Sequence, residues 1–371
     1  MNRPPPLSLQ QALQQAFQAQ AQGRADQARQ MAEMILKKAP REPHALYLMG
    51  ILNHQQGDLA AAEKFFKKAH AADKKNPASL AGLGMVALDR GEYGKAVLQF
   101  KKAIAAAPQK DAALLNNLGL ALKGNDELKQ AARVFEQALA VNANYAPAHL
   151  NLGQLHQIAG ANDLALRHIK RASQLDPGSY EARLKLGDLA LLDAAPETAL
   201  EHFQAALAIR PDYVDAKLSI ATVQMDLGRF DAAEETLRSA LADDPDVFAV
   251  WSDLGDLLFE RGRRDEAMDC IAKAVEVYGP RSDLDRRAHA NPSDVHRLGK
   301  ALERLKQHDD AFACYLAAQT AWKNRLVACD QAYNPAVAEE MLARTIKAFE
   351  GLTLPAPQQG SDSRRPVFIV G

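Results

Sequence analysis

The strongest constraint in the sequence is a small residue that returns about every 34 positions. Nine alanines keep this interval, with one longer step of 44 residues before the last: Ala28, Ala62, Ala96, Ala131, Ala165, Ala199, Ala233, Ala267 and Ala311. Eight of them are followed seven residues later by a second alanine, and Ala28 is followed by Ile35. Seven residues make two helical turns, so both side chains face one way and let a neighbouring helix approach closely. The pattern predicts an array of paired helices.

The composition agrees with a chain built from helices. Hydrophobic residues make up 47% of the 371 positions and aromatic residues only 6%, because Ala and Leu supply much of the apolar content. This composition favours closely packed helices over sheets. A chain of this length would otherwise suggest two or three globular domains, but a repeat array can grow longer since each unit contacts only its neighbours. We predict an all-α fold.

Other residues recur at fixed distances from these alanines. In the unit that begins near residue 248, Trp251 is followed by Leu254 and Gly255, and then by Ala267. This order resembles the tetratricopeptide repeat, a helix–turn–helix unit of about 34 residues. The resemblance implies a right-handed superhelical solenoid of about nine helix pairs over residues 9–318. It also implies a concave surface that binds extended peptides or proteins.

Glycines occupy two places in most units. One set lies inside the predicted first helices, where glycine costs about 1 kcal/mol relative to alanine, and we expect close contact with another helix to offset this cost. This set consists of Gly50, Gly84, Gly119, Gly153, Gly187, Gly255 and Gly299. The other set marks the turn inside a pair, where a positive φ angle is expected, and consists of Gly57, Gly91, Gly160, Gly228 and Gly262.

The pattern changes beyond residue 318. We expect a helical connector over residues 319–351, with an apolar stripe that includes Met341 and Phe349, and then a Pro- and Ser-rich linker over residues 352–365. Residues 366–371 read Pro-Val-Phe-Ile-Val-Gly, which is typical of a buried strand. One strand cannot fold by itself, so we expect this segment to be the first strand of a further domain.

These C-terminal residues resemble bacterial tetratricopeptide-repeat sulfotransferases, in which a repeat array leads into a sulfotransferase domain. The similar segments are residues 309–315, the connector up to Phe349, and the run from Arg365 to Gly371. In that family a loop that binds phosphoadenosine phosphosulfate comes directly after this strand, and Gly371 would border the loop. The resemblance implies an arm that recruits substrate for a C-terminal sulfotransferase domain. Neither catalytic residues nor a cofactor are expected within residues 1–371 themselves.

Polar residues at equivalent places of successive units indicate where a partner would bind. Asn117 and Asn151 each precede a Leu-Gly pair, an arrangement similar to the asparagine ladder of O-linked N-acetylglucosamine transferase repeats. An asparagine amide can donate to and accept from a peptide backbone. We predict a peptide groove lined by Asn117, Asn151, Gln154, Lys185, Asp188 and Ser219. The alternative is that these residues are ordinary exposed polar side chains.

Other functions remain open on the sequence. One is a stand-alone adaptor that assembles protein complexes without catalysis, and the sequence beyond residue 371 would distinguish it from a sulfotransferase arm. A glycosyltransferase arm is disfavoured because the ladder of asparagines is short. If the apolar stripe of the connector is uncovered, we expect a homodimer through the C-terminal helices.

Several classes of protein are disfavoured. No stretch approaches the roughly 18 apolar residues that span a bilayer, the first ten residues lack the apolar segment of a signal peptide, and we expect a cytoplasmic protein. Few aromatic residues interleave with the basic N-terminal residues, which argues against nucleic-acid binding. His149 and His156 lie roughly 10 Å apart along one predicted helix, too far to share a metal ion, and we expect them to serve packing.

Overall fold

The computed structural model describes residues 8–279, 284, 287–288 and 291–328, with backbone only for 325–328. These residues form 18 α-helices and no strand. The helices are α1 Leu9–Ala21, α2 Ala25–Lys38, α3 Pro43–Gln55, α4 Leu59–Ala72, α5 Pro77–Asp89, α6 Tyr93–Ala106, α7 Ala112–Gly124, α8 Leu128–Val141, α9 Ala146–Ile158, α10 Asn162–Leu175, α11 Tyr180–Leu192, α12 Pro196–Ile209, α13 Val214–Asp226, α14 Phe230–Asp243, α15 Phe248–Glu260, α16 Arg264–Tyr278, α17 Pro292–Arg304 and α18 His308–Ala328. The predicted all-α array of nine helix pairs is confirmed.

The predictions beyond residue 328 lie outside the described residues. They concern most of the connector, the linker over 352–365, and the strand over 366–371 with Gly371. Helix α18 itself continues past residue 318 to Ala328. The domain boundaries that we derived from the sequence stay predictions.

The helices pack as pairs, and the pairs stack in chain order. Each even-numbered helix from α2 to α16 packs against the odd-numbered helix before it and against the one after it. Many successive odd-numbered helices also contact each other directly, as α3 does with α5 and α15 with α17. In a curved stack, elements that meet across repeats lie on the shorter, inner side. The odd-numbered helices therefore line the concave surface of the solenoid.

The recurring alanines lie at the contact between the paired helices. Every one of the nine is at most 2% exposed, and the residue seven positions later is at most 5% exposed. At two places the approach is visible directly, because the backbone oxygens of Ala165 and Ala267 come within 3.2 and 3.3 Å of where a methyl group on Gly153 or Gly255 would lie. Small side chains at this interval are thus a packing requirement, as predicted.

The glycine inside the first helix is matched to a large side chain on the second. A methyl group added to Gly50, Gly84, Gly119 or Gly187 would lie 2.4–2.7 Å from a phenylalanine ring 16 residues later. The partner is Phe66, Phe100, Phe135 or Phe203 respectively, and each is at most 1% exposed. The cost of glycine within a helix is therefore offset by the burial of an aromatic ring that needs the space.

The two pairs that lack this glycine also lack the ring. The equivalent positions are Ala221 with Leu237 in one repeat and Ala16 with Ala32 in the first, and all four side chains are fully or almost fully buried. Where an alanine replaces the glycine, a smaller aliphatic residue replaces the phenylalanine. No ring therefore lies opposite an alanine, although Ile169 and Ile271 show that the glycine can also face an aliphatic side chain.

The turn inside each pair needs one residue in the left-handed region, and the sequence does not always supply a glycine. Gly23, Gly57, Gly91, Gly160, Gly228 and Gly262 have φ angles of 69–79°. In the other three pairs the same turn is made by Asp126, Ala194 and Lys306, with φ angles of 63°, 52° and 62°. Alanine pays a steric cost of about 1 kcal/mol in this conformation.

The connection before the last pair is longer than the others, as its sequence indicates. Helix α16 ends at Tyr278 and α17 begins at Pro292. Within this connection, Arg287 donates a hydrogen bond of 2.9 Å to the backbone oxygen of Tyr278, and Ala288 is fully buried. These contacts attach the connection to the core of the last two pairs.

The close contact between Gly119 and Phe135 predicts that a second substitution restores stability lost through a first. The Gly119→Ala substitution should lower the free energy of unfolding by about 1–3 kcal/mol, because the new methyl group would lie 2.4 Å from Phe135. Adding Phe135→Leu should recover part of this loss, since Ala221 and Leu237 form the same pair naturally. Urea denaturation of the two single variants and the double variant measures the coupling.

The Gly94→Ala substitution is the control for these single and double variants. Gly94 also lies in a helix, but the nearest side-chain atom is 3.8 Å from its added methyl group. This substitution should therefore stabilise the protein by up to about 1 kcal/mol through helix propensity alone. Equal effects at Gly94 and Gly119 would contradict the size matching.

A second prediction concerns the turn at Ala194. The Ala194→Gly substitution should stabilise the protein by up to about 1 kcal/mol, because relief of the strained φ angle outweighs the added freedom of the unfolded chain. The opposite substitution at the equivalent turn, Gly228→Ala, should destabilise by a similar amount. Thermal and urea unfolding check both, and a loss of stability at Ala194→Gly would refute this account.

Candidate functional site

The predicted groove residues form two columns on the concave surface. Asn117, Asn151, Lys185 and Ser219 are the sixth residues of α7, α9, α11 and α13, and Gln154 and Asp188 are the ninth residues of α9 and α11. We call these the sixth-position column and the ninth-position column. All six side chains are partly buried. Their role in binding stays a prediction.

The two asparagines of the ladder have different surroundings. The Asn151 amide donates a hydrogen bond of 2.9 Å to the side-chain oxygen of Asn116, a buried residue that precedes Asn117. Among the described residues, the Asn117 side chain makes no hydrogen bond. Asn117 is therefore the ladder residue whose donors and acceptor are all available to a ligand, whereas Asn151 has committed one donor.

A lysine that was not among the predicted groove residues lies beside these amides. Lys123, near the end of α7, donates a hydrogen bond of 2.6 Å to the side-chain oxygen of Gln154. Its pKa is lowered, first by burial and then by the positive charge of Lys185. Lys185 in turn is neutralised by Asp188, whose carboxylate lies 2.6 Å from its ammonium group. In the sequence, Lys123 lies two helical turns after Asn116, and this spacing could have identified it as a residue near the groove.

The ninth-position column changes character along the array. In the first four repeats its members are apolar and partly buried, and they are Phe17, Ile51, Met85 and Leu120. From the fifth repeat the members are polar or charged, and they are Gln154, Asp188, Thr222, Asp256 and Lys300. The groove floor therefore has an apolar part over α1–α7 and a polar part over α9–α17.

The charges in the last two repeats pair with each other. Asp253 and Asp256 on α15 face Arg297 and Arg304 on α17, with closest distances of 3.4 and 2.8 Å. Burial raises the pKa of Asp253 to about 6, although the charge of Arg297 opposes this shift. The charges at this end of the concave surface therefore neutralise one another.

Three histidines meet between α9 and α10. His149 Nε2 lies 3.1 Å from the backbone oxygen of Ala143, so it donates there, and its Nδ1 accepts from His168 Nδ1 over 2.9 Å. The His156 ring stacks on His168 with 5.5 Å between ring centres. The sequence pattern pairs His149 with His156 alone and gives no sign of His168, which lies on the neighbouring helix.

No metal centre is found in the part of the chain that the structure describes. No group of three or more His, Cys, Asp or Glu side chains there could hold an ion. Cys314 is buried and burial raises the pKa of the Cys270 thiol, so neither has the environment of a reactive cysteine. None of the described helices is long and apolar enough to cross a membrane.

The fold and its concave groove define a helical-repeat protein of the solenoid class. Tetratricopeptide repeat family models match residues 13–77 and 159–214, residues 53–118, 190–247 and 227–284, and residues 112–143. Together these matches cover well over half of the sequence. The chain therefore belongs to the tetratricopeptide repeat family. None of the curated proteins matches it significantly.

Solved structures share the fold at low sequence identity. The Cut9–Hcn1 hetero-tetramer of the APC/C is 17% identical with a TM-score of 0.60, and the match covers 78% of this chain and 55% of that one. The human IFIT1 dimer with PPP-AAAA is 19% identical with a TM-score of 0.55, over 82% and 81% of the two chains. PilF of Pseudomonas aeruginosa is 19% identical with a TM-score of 0.51, over 59% and 97%. At these identities the likeness concerns the fold alone.

The histidine cluster predicts a loss of stability in acid. Burial, together with His149 and His156, lowers the pKa of His168 in the folded protein below its ordinary value of 6.5. The unfolded chain then binds the proton more readily, so the free energy of unfolding should fall as the pH drops below about 6.5. His168→Gln should reduce this slope between pH 7.5 and 5, as measured by urea denaturation. His44→Gln, at an exposed site, is the control, and equal slopes in all three proteins would contradict the prediction.

Proposed function

We propose that the concave groove binds an extended segment of another protein, and that the chain acts as a scaffold or recruiting arm. The tetratricopeptide repeat scaffold is suited to protein and peptide binding. The observation that carries the proposal is Asn117, a partly exposed amide at the centre of the groove floor with no hydrogen bond inside the described residues. An amide in this position can hold one peptide unit of a ligand through both its N–H and C=O groups.

The neighbouring groups extend this recognition along the array. Asn151 lies one repeat further in the same column and keeps one donor and its oxygen for a ligand, since only one N–H is used toward Asn116. Lys185, Asp188 and Ser219 continue the polar floor over the next two repeats. A peptide lying across several repeats would thus meet main-chain hydrogen bonds first and side-chain contacts beyond them. Binding of this kind depends on the backbone and tolerates many sequences.

We further propose that the array recruits substrate for a sulfotransferase domain that uses phosphoadenosine phosphosulfate. The support is the resemblance of residues 365–371 to the first strand of such domains, and this segment lies beyond both the family matches and the described residues. A longer gene product whose sequence continues with a Pro-Arg-Ser-Gly-Thr-Thr type loop and binds this cofactor would support it. A stop codon directly after residue 371 would instead favour the adaptor without catalysis, in the cytoplasm.

A homodimer through the C-terminal helices is also proposed, and one feature of α18 supports it. Phe312 and Leu316 are 62% and 54% exposed, one turn apart on the same face of the helix. The equivalent residue to Phe312 in the third repeat, Val97, is buried, because the next repeat covers it. Sedimentation equilibrium over a range of concentrations tests the dimer, and a monomer at all of them would refute it.

The groove proposal predicts a loss of binding on removal of the ladder. Peptides selected from a displayed random library by the full chain should bind the Asn117→Ala, Asn151→Ala double variant about five- to 150-fold more weakly, since each amide supplies about 0.5–1.5 kcal/mol. Fluorescence anisotropy with labelled synthetic peptides measures this change.

Two further variants make the result decisive. Asn117→Ala alone breaks no hydrogen bond in the described residues and should lower affinity without changing the melting temperature. The double substitution Glu136→Ala, Gln137→Ala alters two exposed residues of α8 and should leave binding unchanged. Unaltered affinity of the ladder variants, or no enriched peptide at all, would refute the groove.

A further inference from the structure

The centre of the groove holds a positive charge that no described residue neutralises. Lys217 is buried and lies against the carboxylate of Asp243, and Lys185 lies 2.6 Å from the carboxylate of Asp188. Lys123 differs, because within the described part of the chain its ammonium group bonds only to the neutral side chain of Gln154. A partly buried ammonium ion without a carboxylate partner is costly, and a bound anion would relieve this cost.

The distribution of charge along the array also favours an anion near Lys123. Lys185 is close enough to repel Lys123 and to contribute to its lowered pKa. The N-terminal 110 residues contain 16 Lys and Arg but only 8 Asp and Glu. By contrast, the acidic residues Asp253 and Asp256 at the far end already pair with arginines. An incoming acidic group is therefore attracted to the basic N-terminal repeats and the adjoining Lys123 rather than to the last repeats.

The apolar part of the ninth-position column ends directly beside this charge. Met85 and Leu120 precede Gln154 in the column, and Gln154 is the residue that holds Lys123. Consecutive repeats place these side chains in a row along the groove, so a bound segment would meet apolar contacts and then a positive charge. The amides of Asn117 and Asn151 lie in the adjacent column and can hold its backbone.

We infer that the groove selects a peptide segment in which a short apolar run adjoins a carboxylate, with the apolar side chains on Ile51, Met85 and Leu120 and the carboxylate on Lys123. Charge-assisted hydrogen bonds of this kind are about twice as strong as neutral ones. The carboxylate can belong to an Asp or Glu side chain or to a free chain end. This inference rests on the proposed function and adds the chemistry of the ligand to it.

The test selects ligands with the full chain and with Lys123→Gln from a displayed library of random 12-residue peptides. Peptides selected by the natural chain should combine at least three apolar residues with Asp or Glu, and the acidic preference should disappear with Lys123→Gln. Lys102→Gln removes an exposed lysine of α6 and should keep it. Glutamine retains a hydrogen-bond donor for Gln154, so the melting temperature of the Lys123 variant should be unchanged or higher.

Synthetic peptides then separate the contributions. Replacing the selected Glu by Gln should weaken binding to the natural chain about tenfold and leave binding to Lys123→Gln unchanged. A C-terminal amide should have no effect if a side chain supplies the carboxylate, and should cause the same loss if the chain end does. Affinity should also fall as salt rises from 50 to 300 mM.

The outcomes distinguish this inference from the broader proposal. Enriched peptides that depend on Asn117 but show no acidic preference, or keep that preference with Lys123→Gln, would overturn the inference and leave the groove intact. If no enriched peptide depends on Asn117, the groove proposal fails as well. An acidic preference confined to chains with Lys123 supports both.

Discussion

The structure depends on how closely the two helices of each repeat approach. This distance is set by a glycine on the first helix, a large side chain 16 residues later, and an alanine on the second helix that faces back toward the first. Where an alanine replaces the glycine, the side chain opposite is aliphatic rather than aromatic, as with Ala221 and Leu237. Nine repetitions of nearly the same contact produce a regular curved stack, because each pair presents the same surface to the next.

The groove results from this packing rather than from any special local structure. Regular stacking aligns the sixth and ninth residues of the odd-numbered helices into columns, so that side chains far apart in sequence become neighbours. The core needs only small and apolar residues at its own positions, which leaves the columns free to vary. In this chain the ninth-position column changes from apolar at Leu120 to polar at Gln154, and the sixth-position column changes from an amide at Asn151 to paired charges at Asp253 and Arg297.

Most of the fold could be read from the sequence, because its determinants are periodic and local. The spacing of Ala131 and Ala165 reports a contact that recurs in every repeat, and the glycines inside the first helices report one that recurs in most of them. The turns show where such reading fails. Asp126, Ala194 and Lys306 adopt the conformation that glycine has elsewhere. Only the packing of the flanking helices imposes it on them.

The sequence by itself determined the helical pairs, their number, and the polar residues of the columns, since side chains at a fixed interval on helices must share a face. Only the tertiary structure decided which charges and rings meet. It placed His168 against His149, joined Asn151 to Asn116 instead of leaving it open, and put Lys123 beside Gln154 with no acidic partner among the described residues. These contacts join residues 19–35 positions apart across different helices, and the rotation of one helix against the next, set by the whole core, decides them.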